Sequence, residues 1–192
     1  DNYFTGRKEN NQLHPNLKFI EGTIIDDNLV KNAFSDFKPD VVLHAAASFK
    51  NPDDWKNDIN TNILGTINII NSSKLYNLKK VVYLQTSLCY GINPIKTSIS
   101  LTHPLFGGMF SGVSSYAISK TSGEQYLELS GQKFISLRLA NVYGPRNLSG
   151  PLPAFFYRLS NNLICNIVDS RRDFIFIDDV VDVMKEKYGN AL

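Results

Sequence analysis

Cysteine is scarce in this sequence. Its two cysteines, Cys89 and Cys165, lie in apolar segments and lack the spacing of metal ligands. This pattern argues against a disulfide framework and against a cysteine-based metal centre. We therefore predict buried free thiols in a protein of the reducing cytoplasm, and no metal site.

An excess of charge of either sign is also lacking, as are long hydrophobic runs. The formal net charge is +2, without long runs of basic residues, so the sequence has no electrostatic footprint for nucleic acid. The longest apolar runs fall far short of a membrane span. We expect neither nucleic acid nor a membrane as a partner.

What the sequence does contain is the composition of a globular domain. Hydrophobic residues make up 43% and charged residues 20% of the 192 positions, enough for a full core in one domain or slightly more. Apolar runs bounded by polar turns recur at the spacing of alternating strands and helices. The predicted strands cover 17–22, 40–47, 80–87 and 134–140, and the predicted helices cover 26–37, about 53–77 and about 113–130.

The predicted strands indicate a fold class. They are apolar at nearly every position and alternate with helices, which is typical of a parallel sheet covered on both faces. The fold class is therefore α/β, with a doubly wound parallel sheet.

The pattern changes after residue 144, where Pro and Gly accumulate. A helix near 153–161, a short strand at 163–168 and a strand running into a helix at 171–184 follow. These elements indicate the start of a smaller domain set against the sheet.

The spacing Tyr-x-x-x-Lys occurs twice, as Tyr116 with Lys120 and as Tyr76 with Lys80. In open parallel sheets the ligand crevice lies beyond the carboxyl ends of the strands. Tyr116 begins a helix that follows the carboxyl end of the strand at 80–87, whereas Tyr76 ends a helix that leads into that strand. Position therefore favours Tyr116 and Lys120 as a catalytic pair.

Five short motifs follow the predicted elements in order: "LHAAA", "NTNILGT", "TSLCYG", "SSYAISK" and "RLANVYGPR". Together they resemble the extended short-chain dehydrogenase/reductase family, and within it the NAD-dependent nucleotide-sugar epimerases and dehydratases. The likeness covers nearly the whole chain and implies a Rossmann-like fold. Residues 1–146 are then the dinucleotide-binding domain, and 147–192 are the start of a substrate-binding region interleaved with it.

The resemblance implies three catalytic residues, Tyr116, Lys120 and Thr86. Tyr116 is the expected base, although a phenol with a pKa of about 10 is a poor base at neutral pH. Lys120 and the positive nicotinamide ring are expected to lower that pKa. The Thr86 hydroxyl is expected to bind the reacting sugar oxygen, with Ser87 as a further substrate contact. Capping of the strand end is the alternative role for Thr86 and Ser87.

The same resemblance implies NAD as the cofactor. Asp1 matches the acidic residue that binds the adenosine ribose and disfavours a 2′-phosphate. Thr23 stands where the family often has an Asp facing adenine, and Ile24 is expected to pack on the ring. We read His44 as a satisfied core histidine. The remaining expected cofactor contacts are Ala45, Ala46, Ala47, Asn62, Tyr116 and Lys120, although the Ala run has tight packing as its alternative role.

For the substrate, Asn141 and Arg172 match family positions that hold the nucleotide diphosphate. A guanidinium suits this role because its planar fork bonds phosphate oxygens in pairs. The alternative for Arg172 is an ion pair with Asp169 or Asp173. The family also implies a homodimer.

One family feature is missing from the sequence. The Gly-rich loop that joins the first strand to a helix and holds the pyrophosphate has no match, and "GGMFSG" at 107–112 is in the wrong place to replace it. We therefore expect the chain to be a fragment that begins at the end of the second strand, lacks the first strand and helix, and is inactive alone.

The residues after Thr86 help to choose the reaction. Dehydratases of the family have Asp and Glu there, to protonate the leaving hydroxyl and remove a proton, whereas this sequence has Ser87 and Leu88. Epimerisation at C4 through a 4-keto sugar needs only hydride transfer and one base, and it is the reaction we expect. The alternatives are a nucleotide-sugar 4,6-dehydratase or reductase, or a non-catalytic nucleotide-binding or scaffold protein on the same fold.

Overall fold

A computed structural model describes residues 1–92, 94–96, 98–108, 113–167, 169 and 171–188. Most of the "GGMFSG" segment lies outside the described residues. The chain divides into two compact units, Asp1–Arg138 and Leu139–Leu192. The roles of the two predicted domains as cofactor-binding and substrate-binding regions stay predictions.

The first unit alternates strands and helices along the chain. Short 3-10 helices occur at Lys8–Asn10, Ser87–Tyr90 and Leu105–Gly108. The longer elements are α1 (Asp27–Phe37), β1 (Val41–His44), α2 (Trp55–Asp58), a π-helical segment (Ile59–Leu64), α3 (Gly65–Leu75), β2 (Lys80–Thr86), α4 (Ser115–Ser130) and β3 (Phe134–Leu139).

The three strands of this unit form one sheet in the order β1, β2, β3. β1 and β2 are parallel, and the register sets Val41 beside Lys80 and His44 beside Tyr83. The Val81 N–H donates to the carbonyl of Lys133, the residue just before β3. The α/β class with parallel strands, predicted from the sequence, is confirmed.

Side-chain caps fix where the helices begin. The Asp26 carboxylate accepts a hydrogen bond from the Leu29 N–H at 3.0 Å at the start of α1. Ser114 caps α4 in the same way through the Ala117 N–H at 3.2 Å. Such caps satisfy amide groups that have no partner inside the helix. The cap at Ser114 fixes the start of the helix that carries Tyr116.

The core of the first unit joins the helices to the middle strand. β2 is buried along most of its length, with Val81, Val82 and Tyr83 almost completely enclosed. The core cluster consists of Val30, Phe34, Ile69, Ile70, Leu78, Val81, Tyr83 and Leu127.

A glycine allows α4 to approach the π-helical segment closely. A Cβ added to Gly123 would lie 2.7 Å from the carbonyl oxygen of Asn62 and 2.7 Å from the Tyr83 hydroxyl. Both distances are shorter than van der Waals contact. Only a residue without a Cβ lets α4 seat against β2 at this depth.

Two predicted strands are absent. Residues 17–22 form no strand. The Leu17 N–H donates to the His14 carbonyl in a local turn, the Asp1 amine donates to the Ile20 carbonyl, and the Gly22 N–H donates to the Asp1 carbonyl. Asp1 alone cannot supply the row of backbone hydrogen bonds that a strand forms with its neighbour. At 163–168 the described residues are not a strand either, because the Leu163 N–H bonds back to Arg158 at the end of the preceding helix.

The second unit contains a small sheet and two helices. β4 (Asn141–Tyr143) and β5 (Phe174–Phe176) pair in parallel, with Asn141 beside Phe174. α5 (Pro151–Ser160) begins with Pro at its first position, where the missing N–H costs nothing. α6 (Ile177–Tyr188) follows β5 directly and has two acidic residues in its first turn.

Within the described ranges, no helix combines the length and the apolar character needed to cross a membrane. The same residues contain no group of three or more His, Cys, Asp or Glu side chains arranged to hold a metal ion.

We predict that Gly123→Ala destabilises the whole protein by about 1–3 kcal/mol, because the new methyl group forces α4 away from a backbone carbonyl. Denaturant unfolding measures the change. Gln125→Ala, at an exposed position of the same helix, is the matched control and should leave the free energy of unfolding nearly unchanged. An unaltered stability of Gly123→Ala contradicts the packing.

Candidate active site

The structure brings Thr86 and Tyr116 together. Thr86 is the last residue of β2 and Tyr116 lies in the first turn of α4. The Thr86 hydroxyl forms a hydrogen-bonding interaction with the Tyr116 phenol. The same hydroxyl oxygen accepts a bond from the Leu88 N–H at 3.2 Å, so Thr86 also has the capping role. The two roles are compatible because a hydroxyl both donates and accepts.

Burial dominates the chemistry of Tyr116. It raises the pKa of the phenol above its usual value of 10.0, while the hydrogen bond from Thr86 opposes the shift and the Asp58 carboxylate adds to it. The expected lowering of this pKa is therefore not seen in the protein alone. The physical reason is that the buried phenolate loses hydration.

Lys120 is almost completely enclosed, with 1% of its surface exposed. Its Nζ lies 3.9 Å from the centroid of the Tyr83 ring, a cation–π arrangement. Burial lowers the pKa of Lys120 to about 7, and the Glu124 carboxylate opposes that shift. Ammonium and neutral amine are therefore both populated near neutral pH.

The second Tyr-x-x-x-Lys pair lies elsewhere. Tyr76 caps the end of α3, its ring packs 6.2 Å from that of Phe34, and Lys80 begins β2. Tyr76 therefore lies at the amino end of β2, whereas Thr86 lies at the carboxyl end. The prediction that the two pairs lie at opposite ends of the parallel strands is confirmed.

A cleft of about 750 Å³ lies in the first unit. Phe49 and Lys50 belong to its wall, and the Phe49 ring also packs against Tyr116, with 6.3 Å between ring centroids. The cleft is lined by six of the predicted cofactor residues: Asp1, Thr23, Ile24, Ala45, Ala46 and Ala47.

Two of these lining residues, Asp1 and Thr23, each accept a hydrogen bond from a backbone N–H of the protein. One carboxylate oxygen of Asp1 accepts a hydrogen bond from the Tyr3 N–H at 2.6 Å. The Thr23 hydroxyl accepts a bond from the Ile25 N–H at 3.3 Å. An Asp1 oxygen and the Thr23 hydroxyl proton stay available to a ligand.

Asn62 shapes the cleft wall rather than lining it. Its side chain is 1% exposed. Its Oδ1 accepts from the Ser48 N–H at 2.8 Å, and its Nδ2 donates to the Ser48 carbonyl at 3.0 Å and to the Ser119 hydroxyl at 2.9 Å. β1 therefore ends at His44, three residues earlier than predicted, and the three alanines enter a loop held by Asn62.

His44 is a core residue, as predicted. It is 3% exposed, and its Nε2 lies 2.9 Å from the Thr66 hydroxyl. Burial lowers the pKa of His44 to about 3, with a further lowering by Lys120. The ring is therefore neutral at physiological pH and is not a source of protons.

The segment after Thr86 turns sharply. Ser87 begins the 3-10 helix that ends at Tyr90, and Gly91 follows with φ +90° in the left-handed region. A side chain at Gly91 would also meet the backbone of Phe106 at 3.0 Å. This turn directs the chain away from the end of β2 and leaves Leu88 half-exposed.

The two predicted diphosphate contacts lie in the second unit. The Asn141 side chain donates to the Asp173 carbonyl at 2.9 Å, which joins β4 to the start of β5. Arg172 is exposed, and in the described part of the chain it forms no ion pair with Asp169 or Asp173. The alternative role of Arg172 as an ion-pair partner is therefore not seen.

Sequence reasoning missed several polar residues that surround the predicted catalytic set. Asp58 is 1% exposed and accepts a bond from the Ser48 hydroxyl at 2.7 Å. Tyr83 and Gln85 are two residues apart in β2, so their side chains lie on the same face of the sheet, the one on which α4 packs. Their polarity within an otherwise apolar buried strand was the signal that could have revealed them.

Comparison with protein-family models matches residues 3–186 to the NAD dependent epimerase/dehydratase family. The chain belongs to this family. The predicted family and its dependence on NAD are thereby confirmed at the family level.

Several proteins of known structure are similar to this chain. The Bordetella bronchiseptica enzyme WbmH, crystallised with NAD+, is 49% identical over 97% of this chain, with a TM-score of 0.91. The Thermotoga maritima UDP-glucose 4-epimerase, crystallised with UDP-glucose, is 32% identical over 95% of this chain, with a TM-score of 0.84. These similarities confirm the Rossmann-like fold class.

Curated relatives include enzymes of a second reaction type. The dTDP-D-glucose 4,6-dehydratase of Dictyostelium discoideum is 30% identical over 92% of this chain. The chain spans 45% of that dehydratase, 61% of WbmH and 62% of the Thermotoga epimerase. Both epimerases and dehydratases therefore occur among the proteins that resemble this chain.

We predict that Lys120→Met raises the melting temperature most below pH 7. There both the folded and the unfolded state bind the proton, and the folded state carries the full cost of a buried ammonium. Between about pH 7 and 10.5 only the unfolded state binds the proton, so wild-type stability rises with pH and the advantage of the variant shrinks.

Thermal unfolding of both proteins across this pH range measures the effect. Lys74→Met, at an exposed position on α3, is the control and should show no such pH dependence. A uniform loss of stability in Lys120→Met at every pH would mean that the buried amine is not destabilising.

Proposed function

We propose that the whole protein is an NAD-dependent nucleotide-sugar epimerase acting at C4 of the sugar. The observation that carries the proposal is the pairing of Thr86 with Tyr116 at the carboxyl end of β2, followed by Ser87 and Leu88. A hydroxyl and a phenol lie together at this end of the strand and are suited to bind a sugar hydroxyl, and the two positions after Thr86 supply no carboxyl group.

In this proposal Tyr116 removes the proton from the 4-hydroxyl of the sugar, and later returns it to the 4-keto sugar after that sugar has turned over. The Thr86 hydroxyl donates to the reacting oxygen and keeps it beside the phenol. Lys120, buried one turn further along α4, supplies the positive charge that stabilises the phenolate. NAD supplies the chemistry that these side chains lack, namely accepting and returning a hydride at the sugar carbon.

The cleft supports NAD as the cofactor. Three successive alanines, Ala45 to Ala47, line it and leave the backbone open to a ligand. Asp1 lies in the same wall with a carboxylate suited to a ribose diol. Asn62 holds the loop through Ser48. We assign binding of the adenosine portion to Asp1, Thr23 and Ile24.

For the substrate we propose a nucleotide sugar whose diphosphate is bound by Asn141 and Arg172. Arg172 is exposed and not engaged with the nearby aspartates, so its guanidinium is available to phosphate oxygens. Ser87 remains a proposed sugar contact next to Thr86. The Thermotoga epimerase, crystallised with UDP-glucose, supports this substrate class.

A 4,6-dehydratase or reductase is the second candidate, supported by the Dictyostelium relative. Dehydration needs a carboxyl group free to act on the substrate. Among the residues that the structure describes, the two buried carboxylates around the predicted catalytic set are engaged, since Asp58 accepts from Ser48 and Glu124 pairs with Arg138. Their engagement favours epimerisation. A non-catalytic scaffold is disfavoured because Thr86, Tyr116 and Lys120 are all retained.

We also propose a cytoplasmic homodimer. Exposed apolar side chains occur on α2 and the π-helical segment, including Trp55 at 65% and Ile59 at 52%, and on α4, where Leu129 is 80% exposed. Large exposed apolar surfaces are typical of protein interfaces. Cys89 and Cys165 are both free thiols, which suits a reducing compartment.

The first test is product analysis by NMR. The whole protein with NAD, incubated with UDP-hexoses and with their N-acetyl and uronate forms, should convert one of them into its 4-epimer. The sugar should retain its 6-hydroxyl and all of its carbon. Release of water or carbon dioxide without any 4-epimer would contradict epimerisation and favour the dehydratase alternative.

The second test compares the two tyrosines. Tyr116→Phe should lower kcat at least about 10²-fold, because a phenyl ring cannot exchange a proton with the sugar hydroxyl. Tyr76→Phe is the matched control and should retain nearly full activity, since Tyr76 packs against Phe34 at the other edge. Circular dichroism should show both variants folded. Equal losses in the two variants would refute the assignment of Tyr116.

A further inference from the structure

Gln85, one residue before Thr86 in β2, is bonded at both ends of its amide. It is 2% exposed. Its Oε1 accepts from the Thr86 N–H at 2.8 Å, and its Nε2 donates to the Lys120 carbonyl at 3.2 Å and to the Glu124 carboxylate at 2.9 Å. One buried amide therefore contacts the backbone of two predicted catalytic residues.

The carboxylate that receives Gln85 is itself fixed. Glu124 is 8% exposed and forms an ion pair with Arg138 on β3 at 3.2 Å. Arg138 also donates to the Tyr90 hydroxyl at 3.0 Å. The network therefore ties the end of β2 to α4, to β3 and to the 3-10 helix. A buried network whose members are all bonded holds a single arrangement of its elements.

The spacing of residues along α4 connects the hydrogen bonds of Gln85 to the predicted catalytic residues. Tyr116, Lys120 and Glu124 follow one another at intervals of four residues, so they share one face of the helix. Gln85 bonds the last two of these residues and also its own neighbour Thr86. We propose that Gln85 is a positioning residue that sets Thr86 in register with Tyr116 and Lys120, an inference that rests on the proposed function.

A second hydrogen bond between β2 and α4 does not involve Gln85, so the helix should stay in place when Gln85 is replaced. The Tyr83 hydroxyl donates to the same Lys120 carbonyl at 2.9 Å. α4 thus keeps one hydrogen bond to β2 when the Gln85 amide is removed. Loss of Gln85 should therefore displace Thr86 and the Glu124 carboxylate locally. A displacement of this kind lowers the rate more than it lowers substrate affinity.

The test uses the whole protein with two variants at this position. Gln85→Met keeps the length of the side chain and removes its three hydrogen bonds. We expect kcat to fall about 10- to 100-fold with KM changed little. Gln125→Met, at an exposed position of α4, is the matched control and should retain wild-type kinetics. A wild-type kcat in Gln85→Met overturns the proposal.

Gln85→Glu supplies a readout that a purely structural role would not move. The protonated carboxyl donates to Glu124 as the amide does, whereas the ionised form places two carboxylates together, which raises the pKa of the pair. The activity of the variant relative to the wild type should therefore be highest at low pH and fall as pH rises through that pKa, because the amide of the wild type does not titrate. The charged and titratable groups of the network around this position are Glu124 and Lys120, which Gln85 contacts directly, and Arg138, Tyr83, Tyr90 and Cys89, which interact with those two residues or with each other.

A measurement without substrate separates this inference from the proposed function. NMR of ring-labelled tyrosines follows ionisation of Tyr116, identified by its absence in Tyr116→Phe. Gln85→Met should move that titration to higher pH, because the displaced Thr86 no longer opposes the effect of burial. An unchanged titration overturns the proposal, as does a kcat loss in Gln85→Glu that does not recover at low pH. If no nucleotide sugar is epimerised by the wild type, the proposed function fails and the titration alone decides this inference.

Discussion

The seating of α4 on β2 is the constraint on which the rest of the first unit depends. Gly123 permits it, since any side chain at that position would meet the Asn62 carbonyl and the Tyr83 hydroxyl. The Lys120 carbonyl then accepts hydrogen bonds from Tyr83 and Gln85. A helix held at this depth places Tyr116 at the carboxyl end of the strand, beside Thr86. Packing of small residues thus decides where the proposed chemistry takes place.

The same depth determines the electrostatics. A nearly dry environment disfavours charge on either group, so the pKa of Tyr116 rises and the pKa of Lys120 falls. These shifts oppose the ionised pair that base catalysis needs. Thr86 and Glu124 counter them, through a hydrogen bond to the phenol and through the charge near the amine. The proposed active site is therefore a balance between burial and two specific partners.

A second network connects the cofactor cleft to this helix. Asn62 lies in the π-helical segment and bonds both Ser48, in the loop after β1, and Ser119 on α4. The loop carrying the alanines and the helix carrying Tyr116 are consequently fixed to one amide. The Phe49 ring adds a direct contact with Tyr116 from the cleft wall. A change in the position of the cleft wall should therefore also move the Tyr116 side chain.

The sequence by itself determined the family and the α/β class, and it placed Tyr116 and Tyr76 at opposite ends of β2. Those conclusions depend on apolar runs, a capped helix start and short ordered motifs. These patterns are local in the sequence and can be read without knowing which elements pack together. Tertiary structure alone decided that residues 17–22 form no strand, since a strand needs a partner, and that Asn62 holds the cleft loop rather than lining the cleft. It also revealed Gln85, Glu124 and Arg138 as one network, because residues far apart in sequence become bonded only when β2, β3 and α4 pack together.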